Sequence, residues 1–307
     1  MDLQSNTTSE YKTFFVGANS LIFVLGLFLN VLALVIFFRY HKFRSPTTVY
    51  MKNLAISDLL LVAFLPVRIY YYGTNAHLDD TLCEITGLIL LVNMYGSIFL
   101  LTCISGDRCM AVCFPMNSCV KSIRDNAKYI CLGVWMLTVG ASIPVYAFPK
   151  LKNNGSKTGK CFESEPVYVT KQAPVVVSLM IGFFIPLTVM SACSWALLRA
   201  VRRSSAAQMQ HMRPHKIRSM IVANITIFLI CFLPYNTVLL LYITTTSQTD
   251  YLHFAYRCAL LVACVNTILD PIFYYFATES FMESVTWKKI WGSNSDEEGG
   301  KSLQNLT

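Results

Sequence analysis

Residues 82–113, LCEITGLILLVNMYGSIFLLTCISGDRCMAVC, form an apolar run that closes on an acid–base pair, Asp107-Arg108. About 20 consecutive apolar residues cross a bilayer as a helix. Charges on such runs are few, and those that remain are commonly functional. Working outward, further apolar stretches cover about 16–38, 48–72, 129–148, 174–200, 216–243 and 253–276, which makes seven with the first. Lipid offers no partner to an unpaired backbone amide, so every stretch is expected to be a helix. Pro66, Pro144, Pro186, Pro234 and Pro271 fall inside them. In a soluble helix each would cost about 3 kcal/mol. In a membrane bundle they mark kinks, because neighbouring helices re-satisfy the backbone.

Composition agrees. The chain has 307 residues, 54% of them hydrophobic and 14% charged, where a soluble domain carries about 25% charged. The expected fold is an all-α membrane protein, a seven-helix bundle. Residues 1–15 read as an extracellular amino-terminal segment that precedes a retained signal anchor, and 16–276 as the bundle. Residues 277–291 read as an amphipathic helix on the inner membrane surface, since Phe281, Val285, Trp287 and Ile290 alternate with Lys288 and Lys289. Residues 292–307 read as a polar cytoplasmic tail. The net charge of +8 would suit a nucleic-acid binder, but not at this apolar content; membrane lipid is the expected surrounding.

Basic residues set the orientation. Arg39, Lys42 and Arg44 follow the first stretch, and Lys121, Arg124 and Lys128 follow the third. Arg199, Arg202, Arg203, Arg213, Lys216 and Arg218 join the fifth to the sixth. These connections belong in the cytoplasm, which leaves the amino terminus outside. The segment 149–173 breaks the rule: it is expected outside yet carries Lys150, Lys152, Lys157, Lys160 and Lys171. The sequons at Asn6 and Asn154 also fall outside and are expected to be glycosylated, whereas the one at Asn224 lies within a span.

Most of the eleven cysteines lie in apolar spans and read as small buried hydrophobes. Only Cys83 and Cys161 adjoin polar segments that both face outside. No Ser-His-Asp set, metal cluster or phosphate loop stands out, so the chain does not read as an enzyme. A transporter would show repeated halves with matching broken helices; none is visible, and seven spans do not divide evenly.

Seven markers then occur in order: Asn30; Asn53-Leu54-Ala55-Ile56-Ser57-Asp58; Asp107-Arg108, 25 residues after Cys83; Trp135; Pro186; Cys231-Phe232-Leu233-Pro234-Tyr235; and Asp270-Pro271-Ile272-Phe273-Tyr274. Over nearly its whole length the chain resembles a rhodopsin-like (class A) G-protein-coupled receptor. Asp270, Phe232 and the string Asn93-Met94-Tyr95-Gly96-Ser97-Ile98 make it similar to the purinergic and lysophospholipid branch. Within that branch it is most like the lysophosphatidylinositol-type and kynurenate-type receptors and the lysophosphatidic-acid receptors near them.

The resemblance implies a disulfide between Cys83 and Cys161. It places Asp58, Asn93, Ser97, Asn266 and Asp270 together around an allosteric sodium ion, the alternative being a protonated Asp58 among waters; no other cofactor is expected. It makes Asp107, Arg108, Phe232, Pro234, Asp270, Pro271 and Tyr274 an activation switch facing a heterotrimeric G protein, and Ile98, Pro186 and Phe228 a packing relay. Two departures affect the switch: no acid stands in Arg213–Lys216 to brace Arg108, and Ser194 occupies the place of a common tyrosine. A basic residue at the place of Arg68 implies an anionic ligand. Arg257, Tyr72, Tyr95, Tyr235, Tyr256 and Lys171 are the further candidate contacts, while either arginine alternatively snorkels to the interface. Leu90 stands where amine receptors carry an aspartate. The expected ligand is a lysophospholipid, with a small aromatic carboxylate or a nucleotide second. Arrestin is a further expected partner, through the acidic tail.

Overall fold

The computed structural model describes residues 2–39, 45–74, 78–114, 116–152, 161, 172–203, 214–245 and 250–277, with no strand among them. Span one is the helix Asp2–Arg39, span two Pro46–Thr74 and span three Asp80–Cys113. Span four is Ala127–Lys152, span six Pro214–Thr244 and span seven Asp250–Ala277. Span five is compound: Gln172–Leu179, a π-helical turn Met180–Phe184, then Ile185–Arg203. Six of these are long and apolar enough to cross a membrane, and span four contributes a shorter apolar stretch, Ala127–Ile143. The first helix starts at Asp2, well before residue 16, so the segment read as a separate lead is continuous with span one.

The packing is polar inside and apolar outside. Leu21, Val24, Phe28, Val31 and Val35 are all exposed on span one. Their alternate spacing of three and four puts them on one helical face. A soluble protein rarely shows so continuous an apolar surface; a bilayer requires one. Asn30, Asp58, Asn93, Asp107, Asn224, Asn266 and Asp270 are instead buried. They tie the helices together. Asn30 donates to the Thr267 carbonyl at 2.8 Å, Trp135 donates to Asn53 at 3.0 Å, and Asn224 donates to Ser105. Span three is the hub, touching spans two, four, five, six and seven.

Two caps and one proline set local geometry. Asp79 accepts from the Thr81 amide at 3.2 Å and starts span three. Asn117 accepts from the Cys119 amide at 2.9 Å and starts the short helix Ser118–Asp125. Pro186 has no N–H to offer the Gly182 carbonyl, and its ring crowds that group. The preceding turn widens, and the Ile185 amide bonds to the Met180 carbonyl five residues back. A disulfide joins Cys83 to Cys161, Cα atoms 5.8 Å apart, and ties residue 161 to the top of span three.

Candidate functional site

At mid-bundle, Asn93 donates to Asp58 at 3.0 Å and to Ser57 at 3.2 Å. Asn266 donates to Asp270 at 2.7 Å. The carboxyls of Asp58 and Asp270, on spans two and seven, approach one another. Four oxygens, Asp58 Oδ2, Ser97 Oγ, Asn266 Oδ1 and Asp270 Oδ1, are buried without a hydrogen-bond partner among the described residues. Buried oxygens of this kind are costly unless a proton, water or cation meets them. Two carboxylates with amide and hydroxyl oxygens are the donor set of a hard cation. The residues present therefore fit the implied ion.

At the inner end, Asp107 is 1% exposed. The Arg124 Nε donates to its Oδ1 at 2.8 Å, and the Thr47 hydroxyl donates to its Oδ2. Arg108 is half-buried and lies within the fields of both Asp107 and Arg124. Asp107 therefore serves span two and the short helix as well as lying beside Arg108. Arg124 and Thr47 escaped the sequence reading. In the sequence Arg124 is one inner-loop charge among several, and no spacing rule links it to a residue 17 positions earlier on another helix.

Between spans five and six lies an aromatic stack. Phe183 stacks on Phe228 with centroids 5.5 Å apart, and Phe228 meets Phe232 edge-on at 5.6 Å. Ile98, Phe228 and Phe232 are fully buried in one core, and Pro186 is buried beside the π turn. Pro234 and Pro271 lie within spans six and seven. Tyr274 is on span seven, but its side chain is outside the described residues, as is that of Asn6. Asn154, Lys171 and everything after residue 277, including the expected amphipathic helix and tail, also lie outside them.

In the outer half, Arg68 is 2% exposed. Its Nη1 donates to Cys264 on span seven at 3.8 Å, and Tyr72 lies against the guanidinium. Tyr72 stacks on Phe15 at 5.2 Å. Arg68 therefore points into the bundle and does not snorkel. Arg257 is half-buried and makes no ion pair among the described residues. Its neighbour Tyr256 packs on Tyr235 at 5.9 Å and on Tyr242 at 6.1 Å. Tyr95 shares a hydrogen bond with Ser178 at 2.5 Å and reaches Tyr235. Beside Tyr95 is a cavity of about 300 Å³ between spans three, four and five, lined by Leu91, Tyr95, Leu137, Ser142, Val177 and Gly182 among others. Leu137 and Val177 are more than half exposed on the outer face of the bundle, so the cavity borders lipid. The sequence carries no periodic signal for it.

Residues 29–274 match the family model described as 7 transmembrane receptor (rhodopsin family). The chain is 38% identical to lysophosphatidic acid receptor 6 of Mus musculus, over 90% of this chain and 84% of the relative. It is 37% identical to lysophosphatidic acid receptor 4 of Homo sapiens, over 86% and 74%. Proteinase-activated receptor 1 of Homo sapiens is 31% identical, over 90% and 67%. With seven spans around a buried polar core and a family match over most of its length, the chain belongs to the rhodopsin family of seven-transmembrane receptors.

Proposed function

We infer that the chain is a plasma-membrane receptor, amino terminus outside, that binds a lysophospholipid and activates heterotrimeric G proteins. The observation that carries this reading is the buried Arg68 guanidinium, held in the outer half of the bundle by Cys264 and Tyr72. A planar guanidinium suits a phosphate, since its fork makes paired, charge-assisted hydrogen bonds. The cavity between spans three, four and five is apolar and borders lipid, as an acyl chain requires. Relatives named for lysophosphatidic acid support the same ligand class.

Binding must favour the signalling state, because equal affinity for two states shifts neither. The Asp58, Asn93, Ser97, Asn266 and Asp270 oxygens hold a sodium ion in the resting state, where its charge offsets the two carboxylates. The Asp107–Arg108 end faces the G protein, and the tail recruits arrestin when phosphorylated. A small aromatic carboxylate is the second reading, favoured by the Tyr235–Tyr256–Tyr242 cluster next to Arg257. The test is a panel of lysophosphatidic acids, lysophosphatidylinositol, aromatic carboxylates and nucleotides against G-protein dissociation in receptor-expressing cells. A response to lysophospholipids alone supports the first reading, and silence to all of them rejects it.

A further inference from the structure

We propose that a groove on the outside of the bundle, between spans one and two, is a binding site for an anionic phospholipid. Val31, Leu34, Val35, Phe38 and Arg39 of span one and Leu59 of span two line it, around about 540 Å³. Its apolar length matches one leaflet. Val31 and Arg39 are eight positions apart, about 12 Å along a helix. Half of a hydrocarbon core of about 30 Å is about 15 Å. The groove therefore runs from mid-membrane, where Asp58 precedes Leu59, to the headgroup level at the Arg108 end of the bundle. One acyl chain has that reach.

Charge sits at the polar end. Arg39 is exposed in the last turn of span one. The Lys52 ammonium lies 4.5 Å from the centroid of the Phe38 ring. Lys52 is six positions into span two from Pro46, about 9 Å from that helix end. A lysine at that depth lays its stem along apolar surface and carries its charge toward the interface. Here the path runs over Phe38, which brings the ammonium to the groove. At this level an ammonium and a guanidinium, one a point charge and the other a fork, meet the phosphate and the further anionic group of an acidic headgroup, whereas the ammonium of a zwitterionic headgroup offsets its own phosphate. The rest of the lipid-facing surface of span one is apolar along Leu21, Val24 and Phe28. This groove adds two cations to a concave apolar wall, which is the chemistry of an anionic phospholipid and not of a sterol. The inference is independent of which extracellular ligand the receptor takes.

The experiment uses the full chain purified in detergent, with phosphatidylserine, phosphatidylcholine or cholesterol added, and counts bound lipids by native mass spectrometry. Wild type is expected to retain phosphatidylserine about tenfold better than phosphatidylcholine. The Arg39→Gln, Lys52→Gln double variant should lose that preference, since the one further charge-assisted bond, to the serine carboxylate, is worth about tenfold. Val35→Trp fills the groove, keeps both cations and should reduce retention of both phospholipids. Thermal stability of each variant is followed in parallel; Arg39 and Val35 are exposed and predict little change, while Lys52 is half-buried against Phe38, so the ratio of the two phospholipids retained is the readout for the double variant. Equal retention of the two phospholipids by wild type, unchanged selectivity in the double variant, or displacement of phosphatidylserine by cholesterol would each overturn the proposal.

Discussion

Arg68, buried, and Arg124, half-buried, show how much a single cation decides. Arg68 is enclosed by spans two and seven, so truncation removes the bonds it would offer a phosphate. Losing one charge-assisted bond costs roughly 1.5–3 kcal/mol, on the order of tenfold to a hundredfold in affinity. Arg68→Ala is therefore expected to shift agonist potency by at least about tenfold in surface-matched cells, with Arg68→Lys recovering only part of it. Arg257→Ala should do less, because its side chain is half-buried and free to reach the interface. A larger loss at Arg257 than at Arg68 would reverse the assignment. Arg124 was legible as a charge but not as a partner. Its bond to Asp107 depends on where the short helix sets it down. Arg124→Gln leaves a buried carboxylate with Thr47 as its hydroxyl donor. That should cost about 1 kcal/mol or more, a fall of roughly 2–4 °C in Tm. Arg202→Gln, on an exposed last turn, serves as the control and should not move it.

Among the elements, the spans were the easiest to read, because about 20 apolar residues have few other uses. Their ends were harder. Span one reaches back to Asp2, since a helix already begun continues through polar residues without a breaker. The short helix Ser118–Asp125 is polar and brief, and only its Asn117 cap marks it. Pro186 reads from the sequence as a kink, but the proline alone does not say whether the turn before it bends or widens. It widens it, and the π turn brings Gly182 against Tyr95. A Cβ on Gly182 would lie 2.6 Å from Tyr95 Cε1 and 3.1 Å from Cδ1. Gly182→Ala should push the ring aside and break its bond to Ser178. The expected result is a lower Tm and weaker agonist potency. Adding Tyr95→Leu should restore part of the lost Tm, since residues in contact are not additive. Strictly additive losses would mean that the two residues do not press on each other.

For the whole molecule, the polar-inside, apolar-outside arrangement was readable from composition, and the family markers placed Asp58 and Asp270 at one site. What the chain alone did not carry was which oxygens remain unsatisfied there, since that depends on how Asn93 and Asn266 turn their amides. The proposed cation, shared by spans two and seven, would favour the resting packing. Agonist affinity should therefore be lower in sodium than in potassium at equal ionic strength. Asp58→Asn should erase the difference, as followed by radioligand or fluorescent-ligand displacement. Wild-type affinities that match in the two salts would remove sodium from the account.

The proposed signalling turns on a lysophospholipid phosphate engaging Arg68. Its most direct measurement is nucleotide exchange on purified G proteins by wild-type and Arg68→Ala receptor in nanodiscs, titrated with oleoyl lysophosphatidic acid and with the matching monoacylglycerol that lacks the phosphate. Exchange is expected with the phosphate-bearing lipid in wild type, with a potency at least about tenfold weaker in Arg68→Ala and little response to the monoacylglycerol in either. Equal potency in the two receptors, or equal action of the two lipids on wild type, would contradict it.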